Sequence, residues 1–485
     1  MKSLKTRGGA SPTGALVLVV LFALAWSVAC TRSASAQTLT ALANFNGSNG
    51  RDPHGSLISD AAGDLFGTTY AGGANDRGSV FEIPYDAGTR SYGALKTLAS
   101  FDYNTSGAFP SGGLIADAKG NLLGTTYAGG PFSMGTVFEI AYDASTNTYA
   151  STPTVLVSFD FTDGANAVGG LVADASGNLF GTTSSGGSNY AGTVFEIPYD
   201  ASTNTYASTP TVLVSFDVSG GEDPQTGLIL DTNGNLFGTT EFGPDNYGTV
   251  FEVRYDANTK TYASTPALLA TFNGSNGSYP MAGLTLDGHG NLFGTTTDLG
   301  RSTAEETVFE VPYDASTSSY DLPFKTLATF NGADGSQPMG TLIVDATGTL
   351  FGTTYAGGSF SLGTVFEVPY DASTNTYAST PTVLVNFSGD NGESPFAGLI
   401  ADATGNLFGS TALGGTNNDG TVFELAGSGF VPPLQFAGTP GKPNCVGMSI
   451  STLAHTYGGI AHAAISSGFA NVASLQYAVN SYCGQ

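Results

Sequence analysis

The sequence predicts an all-β fold: a seven-bladed β-propeller of four-stranded blades, closed by its own N-terminal strand and followed by a small α-helical C-terminal module. Three observations predict it. First, a marker (LFGTT, or LLGTT and LFGST in two copies) begins at Leu65, Leu122, Leu179, Leu236, Leu292, Leu350 and Leu407, with spacings of 57, 57, 57, 56, 58 and 57 residues. A period of this length belongs to a propeller or a solenoid. Second, each unit holds four short runs rich in Val, Ile, Phe, Thr and Tyr, as at 170–174, 179–183, 193–199 and 212–216. Gly, Asn, Asp and Ser clusters separate the runs and no helical period intervenes, which is the pattern of a propeller blade. Third, the array starts and stops out of phase. The segment LTALANF at 39–45 matches the fourth run of a unit, whereas the last unit ends after its third run, at Leu425. The opening strand can therefore complete the last blade and remove the open edge that a linear stack would leave.

Taken in order, residues 1–36 read as a signal peptide. Lys2, Lys5 and Arg7 precede an apolar run at 15–29, and Ala34-Ser35-Ala36 is a small-residue cleavage site. Cleavage there starts the exported chain at Gln37. The alternative is a lipid-modified Cys30 after Ser27-Val28-Ala29. No other stretch is apolar and long enough to span a bilayer. Losing the leader removes four basic residues and no acidic one, which leaves 10 basic against 39 acidic residues and a net charge of −29. Such a surface repels nucleic acid and anionic lipid. Hydrophobic residues are still 41% of the chain, so this is a packed protein and not a disordered polyanion.

Residues 37–429 form the propeller. LFGTTYAGG followed by GTVFEIPYD resembles the GloVer tandem repeat of secreted bacterial proteins, whose members attach to surfaces by differing C-terminal anchors. The resemblance spans all seven units and implies export, but no reaction. GLIADATGNLFGST is also similar to NHL-like blades. Copies such as YDASTNTYASTPTVLVSFD are nearly identical, so function is expected where copies differ. Those places are the loop between the second and third strands and the loop between blades, which share one face. The turns DASGN and YDASTNTY hardly vary.

Residues 430–444 read as a linker and 445–485 as a helical module. Val472, Leu475, Val479 and Tyr482 recur at helical spacing after Asn471, and Ile450, Leu453, Ala454 and Tyr457 do so before Gly458. Cys445 and Cys483 are the two cysteines left after export and are expected to form a disulfide. On the chain-entropy account this closure contributes about 4 kcal/mol.

Several constellations invite chemistry. The D-x-x-G-N turns read as hairpin turns. The [DN]-x-x-[DN]-G loops, such as Asn46…Asn49 and Asp160…Asp163, offer two or three oxygens each, so structural calcium stands as an alternative to turn chemistry; no other cofactor is expected. Glu82, Glu139, Glu196, Glu252, Glu310, Glu367 and Glu424 repeat in every third strand. Seven equivalent carboxylates do not make an acid and a base, so they are expected to face solvent or to accept hydrogen bonds from the Thr-Thr pairs, without cation partners. No metalloprotease, nucleophile-elbow or P-loop motif is present, and no residue is assigned a catalytic or metal-ligating role.

The candidate ligand-binding residues are Arg51, Asp52 and His54, which form the most polar variable cluster, together with Tyr70, Tyr127, Tyr190, Tyr247, Arg301 and Tyr355. Tyrosine can stack on a sugar or anchor a protein. The expected function is an exported, monomeric, non-enzymatic binding propeller whose partner is a glycan or a cell-surface protein. The alternatives are a carbohydrate-active lyase, hydrolase or lactonase using a cluster among Arg51, Asp52, His54, Glu222, Asp223, Glu241, Asp245 and Arg301, or a structural component of the cell envelope.

Overall fold

The computed structural model describes residues 37–298, 305–320 and 323–433. The segment expected to be a leader, Arg301, the later part of the expected linker and the expected helical module with Cys445 and Cys483 lie outside the described residues. Seven four-stranded antiparallel sheets make the propeller. In the first blade the strands are Ile58–Ser59, Leu65–Thr69, Ser79–Ile83 and Lys96–Ser100, paired in chain order. In the last, Ile400–Ala401, Leu407–Thr411 and Thr421–Ala426 are completed by Thr38–Asn44, with Leu39 opposite Leu425 and Thr40 opposite Glu424. The N-terminal strand thus closes the ring as the out-of-phase ends require.

The marker forms the second strand, buried along its whole length in every blade. Its glycine answers a steric demand. A Cβ at Gly67 would lie 2.5 Å from the ring of Phe81 in the third strand, and Gly409 meets Phe423 in the same way at 2.6 Å. The cores lie between blades: Phe66, Val80 and Phe101 of the first pack with Leu114, Leu122 and Phe138 of the second. Phe45, Val422 and Phe408 pack with Leu57, Leu65 and Phe81 across the closing seam.

Buried hydroxyls stitch the blades together. The second Thr of each marker meets a Thr or Ser in the third strand, as in Thr126 Oγ1 to Thr136 Oγ1 at 2.9 Å. The first Thr donates to a carbonyl of the next blade beside the axis. Thr68 reaches Gly112, Thr125 Gly169, Thr182 Thr226, Thr239 Ala282, Thr295 Pro338 and Thr353 Ala397. The seventh marker has Ser410 there, and its buried Oγ has no partner among the described residues.

The stretch YDASTNTY, read from sequence as a plain turn, is a two-stranded ribbon in each of the first six blades, as in Tyr142–Asp143 with Thr148–Tyr149. Its second tyrosine latches onto the preceding blade. Tyr149 meets Phe66 edge-on at 5.5 Å, Tyr262 meets Phe180 at 5.4 Å, and Tyr92 meets Phe408 across the closing seam at 5.6 Å. Burial pushes the Tyr149 hydroxyl up to about 12. Among the described residues the seventh blade has no ribbon; Phe430 takes the latch position and packs 5.2 Å from Phe351. Phe430 is buried, and the tail beyond it pairs with the sixth blade through Val431 N to Asp345 Oδ2 at 3.1 Å.

Four of the third-strand glutamates differ from expectation. Glu82 pairs with Lys96, Glu252 with Arg254 and Glu310 with Lys325, and Glu139 accepts from Asn121 Nδ2 at 2.7 Å. The Thr–Thr hydroxyls bond one another and cannot serve the glutamates, because they sit at the other end of the strand: Glu139 is opposite Leu123, whereas Thr136 is opposite Thr126. Among the described residues no helix is long and apolar enough to cross a membrane.

Candidate functional site

The loops that vary surround the mouth of the axis. Just before its first strand each blade presents two side chains there. The outer one is Asp52, Phe109, Asn166, Asp223, Tyr279, Gln337 or Ser394, and two residues on stand His54, Ser111, Val168, Gln225, Met281, Met339 and Phe396. The second set lines an axial cavity of about 260 Å³, with a collar of backbone below it. That collar is tight. A Cβ at Gly169 would fall 2.2 Å from Gly227 N, and one at Gly55 2.5 Å from Gly112 O.

Every residue of the outer set has a positive φ: 59°, 62°, 61°, 58°, 47°, 55° and 55° around the ring. Non-glycine residues adopt this conformation only when their surroundings impose it. Here two backbone bonds do so. Asp52 N donates to Asp419 O of the preceding blade, and Asp52 O accepts from Tyr70 N. Phe109 is held likewise by Arg77 O and Tyr127 N. In the sixth blade a side chain replaces the carbonyl: Gln337 N donates to Glu306 Oε1 at 3.0 Å. Burial raises the Glu306 carboxyl above its usual range.

On one side of the mouth the side chains form an aromatic arc over four blades. His54 stacks between Tyr70 at 4.9 Å and Phe396 at 4.4 Å, and Tyr70 stacks on Phe109 at 5.1 Å. Tyr355 closes one end against Phe396, and Arg77 lies over Phe109 at the other, 5.3 Å from the ring centre. His54 Nε2 is 2.9 Å from Asp52 Oδ1. Burial, with Tyr127 and Asp52 nearby, raises the Tyr70 hydroxyl. The fourth blade contributes a second polar group, in which Gln225 Nε2 donates to Asp223 Oδ1 at 2.9 Å and approaches Glu241 Oε2 at 3.3 Å.

The structure therefore brings Asp52, His54, Tyr70, Tyr127 and Tyr355 to the mouth. Arg51 points away and forms a two-pronged pair with Asp76, at 3.0 and 3.1 Å, on an exposed loop. That pair holds the Asp76 carboxyl below its usual range. Tyr190 stands at a loop tip, 72% exposed, and Tyr247 packs beside Tyr279. Sequence reasoning missed Phe109, Phe396 and Arg77. Aligning the units on the residues before the first strand exposes the first two, since in these two columns only Asp (Asp52 and Asp223) and Met (Met281 and Met339) recur among the blades.

The [DN]-x-x-[DN]-G loops use their oxygens on the backbone. Asn46 N donates to Asn49 Oδ1 at 2.9 Å and Asp160 N to Asp163 Oδ1 at 3.0 Å. Among the described residues no group of three or more His, Cys, Asp or Glu is placed to hold a metal.

The repeat itself decides the family. Residues 28–152, 144–309 and 261–468 match the family model described as the Gloeobacter/Verrucomicrobia repeat. The chain belongs to this family. No curated protein matches it significantly. Solved structures similar to this Gloeobacter/Verrucomicrobia repeat protein include a Bacteroides uniformis protein provisionally assigned as a 6-phosphogluconolactonase, at 14% identity, covering 67% of this chain and 84% of that one with a TM-score of 0.45. The PQQ domain of a pyranose dehydrogenase from Coprinopsis cinerea is 14% identical over 81% of this chain and 96% of its own, with a TM-score of 0.41. An auxiliary nutrient binding protein from Bacteroides ovatus is 12% identical over 80% and 76%, also with a TM-score of 0.41.

Proposed function

We propose that this repeat protein is an exported, non-enzymatic binding protein that holds a protein partner on its variable-loop face. One observation carries the reading. In the loops between second and third strands, Asn75, Asn189 and Asn417 each donate to a carbonyl at the end of a fourth strand. At the same position the second and sixth blades have Phe132 and Phe360, which are 58% and 60% exposed. A loop-anchoring hydrogen bond is given up there for an exposed apolar ring, and these two blades carry the ends of the aromatic arc. Exposed aromatic anchors with polar surroundings suit a protein interface. A sugar needs open ring faces, and the faces of His54 and Tyr70 are already taken by their neighbours.

The test is retention of the purified chain on cells of the producing organism, before and after protease treatment of those cells. Retention lost on protease treatment, and lost in the Phe132→Asn/Phe360→Asn double variant, supports the reading. Retention on protease-stripped cells overturns it in favour of a glycan, and no retention removes it.

The second reading, a propeller hydrolase or lactonase, rests on the Asp52–His54 pair at the axial cavity. An oriented imidazole is the usual general base. Release of soluble product from a polysaccharide or lactone panel, lost in His54→Ala, would establish it.

A further inference from the structure

Among the described residues, the face opposite the variable loops includes two grooves, each between neighbouring blades. One, of about 420 Å³, lies between the first and second blades; the other, of about 900 Å³, lies between the fifth and sixth. They occupy equivalent positions. Each is bounded by the fourth strand of one blade and the ribbon of the next, and each presents a tyrosine pair from that ribbon: Tyr142 and Tyr149, or Tyr370 and Tyr377.

These two grooves share a feature that the other blades lack. Lys96 and Lys325 begin the fourth strands of the first and fifth blades, directly opposite Glu82 and Glu310. The corresponding residues elsewhere are Thr154, Thr211, Ala267, Thr382 and Thr40. The ion pairs are nearly superimposable in kind: 3.1 Å with the lysine 57% and the glutamate 12% exposed, and 3.2 Å with 58% and 11%. The exported chain has only 10 basic residues, so two of them at matching positions in the two grooves are not accounted for by blade architecture, which forms equally well on threonine.

We propose that both grooves are saccharide-binding sites for neutral or amino sugars. The chemistry on the walls fits that class. Tyrosine rings offer an apolar surface to the C–H face of a pyranose. The glutamate can accept hydrogen bonds from sugar hydroxyls, and the lysine ammonium and the ribbon Asn147 or Asn375 amide can donate to ring and hydroxyl oxygens. Fixed carboxylates outnumber cations in each groove, with Asp60, Asp64 and Glu82 against Lys96 in the smaller. That balance disfavours uronates and other anionic sugars. The larger groove has the volume of a small-molecule site. These sites are independent of the loop-face reading, because they lie at the other ends of the strands.

The test is titration calorimetry of the purified chain with three probes: a β-1,4-glucan hexamer, an N-acetylglucosamine hexamer and a galacturonate hexamer. Binding of a neutral probe at two sites per chain, without binding of galacturonate, is expected. Lys96→Thr and Lys325→Thr install the residue other blades carry at that position. Each should weaken one site at least tenfold, and the double variant should lose both while its unfolding midpoint stays near that of the parent. Absence of binding by both neutral probes overturns the proposal, as does binding that persists in the double variant.

Discussion

Phe430 meets Phe351 edge-on, with ring centres 5.2 Å apart and planes at 60°. It does from outside the repeats what a ribbon tyrosine does inside them. Every blade is therefore latched onto the one before it, and the last latch comes from the segment after the seventh blade. Removing a buried phenylalanine ring costs about 3 kcal/mol or more. Phe430→Ala should lower the urea midpoint by a corresponding amount, whereas Phe430→Tyr, which restores the ring used in the other blades, should recover most of it. Equilibrium denaturation followed by tyrosine fluorescence reads both.

Ser410 marks the one axial staple left unmade. Six blades place a threonine hydroxyl on the next blade's carbonyl, but the Ser410 hydroxyl is buried without a partner among the described residues. Threonine at this site has a stiffer χ1 and fits the same strand in the other copies. Ser410→Thr should form the missing bond and stabilise the closing seam by about 1 kcal/mol, measured as a rise in denaturation midpoint. An unchanged or lower midpoint would show that the seam is shaped differently from the other interfaces.

Glu139, Glu196 and Glu424 set a pH dependence. Burial, reinforced by Asp117, Asp174 and Asp402 respectively, raises each carboxyl above its ordinary 4.5. The folded state then takes up these protons at a higher pH than the unfolded chain does, so ionised glutamate weakens the fold at neutral pH. Stability should rise as pH falls from 7 through the raised values and level off near 4.5. Below that, the ribbon aspartates, such as Asp143 and Asp200, reverse the trend. Hydrogen bonds from Ser145 and Ser202 hold their carboxyls below the usual range, so stability is lost as they protonate. The Glu139→Gln/Glu196→Gln/Glu424→Gln variant should flatten the upper part of the profile in denaturation curves measured from pH 7 to pH 5.

The blades and their closure were legible because burial imposes a period. A Gly beneath Phe81 and two hydroxyls behind it leave few alternatives to LFGTT, and a strand without a partner at each end of the array points to their pairing. The ribbons were less legible. In YDASTNTY the polar residues fit a turn as well as they fit a ribbon, and only the neighbouring blade shows that the second tyrosine is a packing residue. The mouth was legible as a place but not as a set of contacts. Asp52 and Phe109 share a left-handed backbone that their side chains do not announce, because the neighbouring carbonyl and N–H enforce it. The glutamates misled because the two ends of one five-residue strand see different surroundings. Lys96 and Lys325 drew no notice, since a lysine at a strand start looks ordinary until the register places it opposite glutamate.

The pairing of Thr38–Asn44 with Thr421–Ala426 also orders events in time. Synthesis makes the first of these strands before the six complete blades and its partner after them. The first strand must therefore stay unpaired while six blades are laid down, and it is seated last. Its bond to the final blade is the most non-local in the ring, so loop closure weighs on that step more than on any other. Until it docks, the third strand of the seventh blade has an open edge, and the chain is most exposed to pairing with another copy of itself.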